Sequence, residues 1–218
     1  MRIGIIGSGR IGATLARLLV AAGHEVAIAN SREPESLSEL VAELGDRASA
    51  GSSEEVAAFG DLVLVAIPLH AHRALPKVAL AGKVVVDANN YHARRDGHIA
   101  DLDAGRTTSS ELLAKFLRRA RVVKAFNTMF HETLAADGDP GAPREERLVL
   151  FVAGDDPDAK QRACELIEEL GFTAVDTGSL AEGGRRQQPG SPLHDRPMTL
   201  AEAERELGAL LLDPGPFA

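Results

Sequence analysis

Tryptophan is absent and tyrosine and cysteine occur once each, so seven phenylalanines supply most of the aromatic surface and there is no thiol pair to oxidise. Cys164 alone can form neither an intrachain disulfide nor a thiolate metal cage, and it is read as a small apolar packing residue. Positive charge is also scarce: 24 Lys and Arg stand against 32 Asp and Glu, a formal net charge of −8. This argues against nucleic acid or an anionic membrane surface as the main partner. No apolar run approaches the roughly 18 residues of a membrane span. Ile3 opens an apolar strand with no basic n-region, h-region or small-residue cleavage site before it, and a cytoplasmic location is expected. Apolar residues make up 44% of the 218, enough for one good-sized core.

Short apolar runs alternate with helical patterns nearly end to end, which predicts an α/β fold with a doubly wound, mainly parallel sheet of about eight strands. Strands are expected at 2–6, 25–30, near Ala48, 61–68, 82–90, 121–128, 148–154 and 173–178. "DLVLVAIP" and "GKVVVDANN" are continuous apolar runs, as strands buried on both faces are. Helices are expected over 11–22, 34–44, 110–119 and 157–170, the last capped by Asp156 with Pro157 in its first turn. "EGGRRQQPGSPLHDRP" (182–197) reads as a loop, followed by a short helix over 200–211 and a Pro/Gly end. The expected division is therefore a nucleotide-binding domain over 1–180 and a loop-plus-helix extension over 181–218, packed on or near the active cleft.

"GIIGSGRIG" places Gly7, Gly9 and Gly12 between the first strand and the first helix, a G-x-G-x-x-G loop of the Rossmann type. Gly7 permits the tight turn, Gly9 lets backbone approach a pyrophosphate, and Gly12 lets the helix pack on the strand. The free N–H groups at the helix start favour phosphate. A Walker loop is ruled out because Ala13 stands where the phosphate-binding lysine belongs. In NAD sites an acid at the end of the second strand accepts from the ribose 2′-hydroxyl and repels a 2′-phosphate. Here that position is Asn30, followed by Ser31 and Arg32, a hydroxyl donor and a planar fork of donors. The combination reads as NADP(H), with Arg10 placed to approach the same phosphate or to stack on adenine.

A proton donor for hydride chemistry is hard to find in the sequence. Tyr91 is followed four residues later by Arg95, where short-chain dehydrogenases need lysine. Too few residues follow the last strand for the helical domain of hydroxyacid or pyrroline-carboxylate reductases. His70 and His72 have no acidic or thiol cluster nearby in the sequence, and His131-Glu132 lacks a second zincin histidine because Ala135 stands there, so no metal is expected. Without a protein acid, catalysis would rest on positioning, which suits a flavin or deazaflavin whose own ring nitrogen titrates.

"GIIGSGRIG", "ANSREP", "VAIP", "VDANN", "VVKAFNT" and "DTGSL" together resemble, in order and spacing over about residues 2–180, the NADPH-dependent coenzyme F420 reductases (F420H2:NADP oxidoreductases) and the related reductase domain of six-transmembrane ferric reductases. The resemblance implies that Gly7, Ser8, Gly9, Arg10, Ile11, Ser31 and Arg32 bind the adenosine half and pyrophosphate of NADP(H). Ile67, Pro68, Asn89 and Ala125 would flank the nicotinamide ribose and ring. Asn127, Thr128, Met129 and Phe130 would lie where a second ring, that of F420, stacks. It implies a small-molecule redox co-substrate and a homodimer. Two departures stand out: Ala71 sits between two histidines where the family commonly has one, and "GGRRQQPGSPLHDRP" replaces the long apolar C-terminal helix of archaeal members. Arg185 and Arg186 in that segment are candidates for a local basic patch. An FMN- or FAD-dependent reductase and a non-catalytic NADP(H)-binding sensor stand as alternatives.

Overall fold

The computed structural model describes residues 1–212; the last six positions of the expected extension, with their Pro/Gly end, lie outside the described residues. Eight strands form one sheet: β1 Arg2–Ile6, β2 Glu25–Ala29, β3 Ala48–Ala50, β4 Leu62–Val65, β5 Val84–Asp87, β6 Arg121–Lys124, β7 Val149–Gly154 and β8 Thr173–Gly178. Their order is β3-β2-β1-β4-β5-β6-β7-β8. The first six reproduce the dinucleotide-binding order, whose reversal between β1 and β4 opens a crevice at the carboxyl ends of the strands. Every residue of β4 and of β5 is buried, as continuous Val/Leu runs between two helical layers require.

Local signals explain most of the helices. α1 (Arg10–Ala21) buries Leu15, Ala16 and Leu19 on one stripe, at helical spacing. The helix expected from Pro34 enters as a 3₁₀ turn, Pro34–Leu37, before α2 (Ser38–Leu44), a common way for a first turn to tighten. α3 (Ser53–Phe59), unread in the sequence, had its signal in a reciprocal capping box of Ser52 and Glu55. After β5 come two single turns, α4 (Ala93–Asp96) and α5 (Ala100–Asp103), and then α6 (Ser109–Phe116), capped by Thr108 with Glu111. Beyond β6 lie α7 (His131–Ala136) and α8 (Pro157–Glu169), where Asp156 accepts the Ala159 N–H at 2.8 Å.

Two departures shape the cleft. β7 runs antiparallel to β6 and pairs with it only through Val123 with Gly154 and Lys124 with Ala153, so its earlier residues run past the end of β6. The segment read as a loop begins with a short helix, α9 (Glu182–Arg186). It then closes over β7: Leu193, Met198 and Leu210, the last on α10 (Leu200–Leu212), bury Val149 and Phe151 in a separate apolar cluster. Val149 N–H donates to the Met198 carbonyl at 2.9 Å. Among the described residues no helix is long and apolar enough to cross a membrane.

Candidate functional site

Two clefts open on either side of the glycine loop. The first, about 550 Å³, is lined by Gly7, Ser8, Gly9, Asn30, Ser31, Arg32, Ile67 and Pro68 among others. Gly7 sits at φ +116, and its N–H donates to Ala29 at 2.8 Å. That conformation disfavours a side chain, and a Cβ there would collide with the Ala66 backbone. At Gly12 a Cβ would collide with the Gly7 carbonyl, whereas at Gly9 it would meet nothing within 4 Å. Gly12 is thus a packing residue, and Gly9 faces open space. α1 begins at Arg10 with no side-chain cap and no acid in its first turn, so its N–H groups and positive dipole end are uncompensated.

Asn30 does more than remove a negative charge. Its Oδ1 accepts the Arg32 N–H at 2.8 Å and its Nδ2 donates to Ser36 Oγ at 3.0 Å, an Asx-type turn that shapes the loop. Ser31 and Arg32 are exposed, and among the described residues the Arg32 guanidinium has no hydrogen-bond or ion-pair partner. Arg10, expected beside the same phosphate, lies instead on the wall of the second cleft with Glu132 and His131. Arg10 is the first residue of α1.

The second cleft, about 460 Å³, brings together Arg10, Ile11, Asn90, His92, Phe126, Asn127, Met129, Phe130, His131, Glu132, His194 and Asp195. Phe126 turns the chain after β6 with φ +62, a costly conformation for a bulky residue. Asn127 and Met129 are buried on the cleft wall, while Phe130 is 54% exposed. Thr128, expected at the stacking surface, is buried off both clefts, its carbonyl taking the Asp195 N–H at 2.9 Å. Asn127 Nδ2 donates to Asn90 Oδ1 at 3.0 Å and to the Gln187 carbonyl at 2.8 Å. The C-terminal segment is therefore tied to this wall. Arg185 and Arg186 are engaged by the Gly105 and Thr177 carbonyls, at 2.6 and 2.8 Å, and do not form a free basic patch.

Asn89 and Ala125 also lie behind the clefts rather than on their walls. Asn89 Oδ1 accepts the Ile67 N–H at 2.7 Å, while its Nδ2 is buried without a partner among the described residues. Ala125 is fully buried, its N–H donating to Asp87 at 3.2 Å. A residue the sequence reading missed organises this layer. Lys124 is buried and donates to the Asn89 carbonyl at 2.9 Å and to Ser110 Oγ at 3.2 Å; Ser110 Oγ donates to Asp87 Oδ2 at 2.6 Å. Burial pushes the Lys124 ammonium down in pKa, against the opposing pull of Asp87.

His92 and His194 were also passed over, and with His131 they give the second cleft three imidazoles. The histidines weighed in the sequence play other parts. His70 borders the first cleft and pairs with Asp96 at 3.0 Å. Burial pushes the Asp96 carboxyl up, but hydrogen bonds from Arg95, His92 N–H and His70 outweigh it and hold it well below the usual range. His72 is buried, its Nδ1 2.8 Å from the Leu69 carbonyl and its ring edge-on to Phe116 at 5.1 Å. Its own backbone neighbour and an aromatic ring thus account for it. Among the described residues no group of three or more His, Cys, Asp and Glu side chains is placed to hold a metal.

Comparison with known proteins gives this geometry a family. Residues 2–91 match the family described as NADP oxidoreductase, coenzyme F420-dependent. The fold superposes on a hypothetical protein from Sinorhizobium meliloti with a TM-score of 0.80 and 36% identity, covering 91% of this chain and 95% of that one. A candidate F420-dependent NADP-reductase from Arthrobacter sp. FB24 superposes with a TM-score of 0.70 and 30% identity, over 84% of this chain and 88% of that one. The chain belongs to the coenzyme F420-dependent NADP oxidoreductase family. Its sheet is the Rossmann fold of that family. The rat metalloreductase STEAP3 is 32% identical over 183 residues, 83% of this chain. The chain spans about a third of that protein's length, 34%.

Proposed function

We propose that the protein passes hydride between NADP(H), held across the glycine loop, and a deazaflavin, coenzyme F420, seated in the second cleft. The observation that carries this is the juxtaposition of two clefts about one glycine loop. The first offers the uncompensated start of α1 and the unpaired Arg32; the second offers the exposed face of Phe130 beside Met129 and Ile11. The family and the Arthrobacter relative's name support F420 over other acceptors.

In this reading Ser8, Gly9 and the backbone N–H groups of Arg10 and Ile11 hold the pyrophosphate, and Ser31 and Arg32 the 2′-phosphate. Ile67 and Pro68, the former fixed by Asn89, border the nicotinamide ribose. When bound, NADPH supplies the hydride. The chain's part is to hold two rings at near-attack distance and to keep water away. Residues 1–180 form the nucleotide-binding unit, and the segment from 181 onward closes the second cleft through Gln187, His194 and Asp195.

Stopped-flow oxidation of 4-deuterated NADPH, with F420, FMN and FAD offered separately, tests the acceptor. F420 should be reduced fastest and should carry the label. Label lost to solvent, or turnover with FMN or FAD alone, would remove the deazaflavin reading.

The loop itself is tested by two alanines. Gly12→Ala is expected to lower stability by about 1–3 kcal/mol through overpacking against backbone, read as a shift in the urea midpoint. Gly9→Ala should change stability by no more than about 0.5 kcal/mol. It should nevertheless weaken NADPH by about tenfold or more, because a methyl group there keeps phosphate off the backbone N–H groups. Unchanged NADPH affinity in Gly9→Ala would place the pyrophosphate elsewhere.

A further inference from the structure

His194 is the most enclosed imidazole on the wall of the second cleft. Its side chain is 6% exposed, against 20% for His131, and His92 is exposed. Nδ1 lies 3.0 Å from the Gln187 carbonyl oxygen, which can only accept, so Nδ1 carries a hydrogen and donates it. Nε2 is then the position that gains and loses a proton. The same Gln187 carbonyl takes the Asn127 amide at 2.8 Å, and Asp195, at φ +53, donates its N–H to Thr128. The ring is thus locked onto the loop after β6 from both sides, by a segment that strains one residue to place it. Such a placement is more than an apolar wall needs, and no contact in the nucleotide cleft uses it.

We propose that His194 Nε2 exchanges the proton that accompanies hydride transfer in this cleft, giving it to a heteroatom of the acceptor on reduction and taking it back on oxidation. This rests on the reading of the second cleft as the acceptor's seat. In the reducing direction the acceptor gains a hydride, two electrons with one hydrogen, from the dihydronicotinamide and one proton from Nε2. NADP⁺ and a neutral imidazole remain, and solvent returns the proton to the ring.

The charged and titratable neighbours of His194 set the direction of its pH dependence. Asp195 belongs to its own segment, with Oδ2 3.4 Å from Nε2. Lys124 acts from β6 and His92 from the loop before α4, while Arg10, His131 and Glu132 share the cleft. Burial, helped by Lys124 and His92, depresses the imidazole below its ordinary pKa, against the pull of Asp195 and the Gln187 carbonyl. The neutral ring therefore predominates at pH 7, ready to accept a proton. Hydride transfer to NADP⁺ from the reduced acceptor should rise with pH through that depressed value and then level off; the opposite direction should fall over the same range.

The experiment compares wild type with His194→Asn, whose amide can keep the hydrogen bond to Gln187 but cannot titrate, and with His194→Ala. Single-turnover transfer is measured in both directions against pH, NADPH affinity by fluorescence, and the His194 ring by NMR titration of the resting protein. Both variants should lose transfer by about 10²- to 10⁴-fold and lose the inflection, with NADPH affinity retained and partial rescue of His194→Ala by added imidazole. The wild-type ring should titrate below the ordinary imidazole range, and its resonances should move when oxidised F420 is added to the NADP⁺ complex. A His194→Asn enzyme within about threefold of wild type with the same pH profile, where a lost acid costs far more, would overturn the proposal while leaving the proposed function intact. A ring whose resonances ignore F420 would overturn it equally. No transfer by the wild type to any acceptor would remove the reading of the cleft itself, and this one with it.

Discussion

Lys124→Met should destabilise the protein by about 3–5 kcal/mol, the cost of breaking a buried charged network from one side. The ammonium is buried among Asn89, Ser109 and Ser110, reaching the two hydroxyls at 3.4 and 3.2 Å. Asp87 is fully buried behind Ser110, and its Oδ1 accepts the Asn89 N–H at 3.0 Å. Methionine fills the volume but leaves the buried Asp87 carboxylate without a cation near it. Against a total stability of about 5–15 kcal/mol, such a loss is large, and the urea midpoint should fall accordingly. Asp87→Asn combined with Lys124→Met should recover most of it, since the stranded charge is gone. A single variant within about 0.5 kcal/mol of wild type would mean that the ammonium does not hold this layer together. The layer also bears on the site. Asn89 links Lys124 to the Ile67 N–H, so the single variant should weaken NADPH binding even at temperatures where it remains folded.

Arg32→Ala should weaken NADPH by about 10- to 150-fold and leave NADH nearly unchanged, the consequence of removing one charge-assisted hydrogen bond of roughly 1.5–3 kcal/mol. Arg32 stands exposed on the rim of the first cleft with its guanidinium unpaired among the described residues. Its backbone N–H is already held by Asn30. The two residues can therefore be separated. Removing the Asn30 side chain should loosen the whole loop and cost both nucleotides some affinity, whereas removing the Arg32 guanidinium should cost only the one bearing a 2′-phosphate. Fluorescence titration of both nucleotides against both variants distinguishes them. Equal losses for NADPH and NADH in Arg32→Ala would assign that arginine to the shape of the loop.

What could be read along the chain was local in its physics. The βα alternation, the continuous apolar runs of β4 and β5, the glycine loop at 7–12 and the Asn30-Ser31-Arg32 turn each depend on residues a few positions apart, where periodicity and turn chemistry leave a mark. The capping box that starts α3 was of the same kind and simply went unread. Only the folded chain decided which side of the glycine loop each cation faces, that Thr128 is buried while Phe130 is exposed, and that β7 reverses against β6. The sequence offered no protein acid near the reacting rings, yet His194 joins His92 and His131 on the cleft wall, because residues 187–195 return to the loop at 126–130 through hydrogen bonds spanning some sixty positions, such as Asn127 to Gln187. A contact of that span has no periodic signature. It follows from where the overshoot of β7 and the apolar cluster of Leu193, Met198 and Leu210 leave the chain, and packing of that kind is a property of the assembled layers, not of any stretch of residues within them.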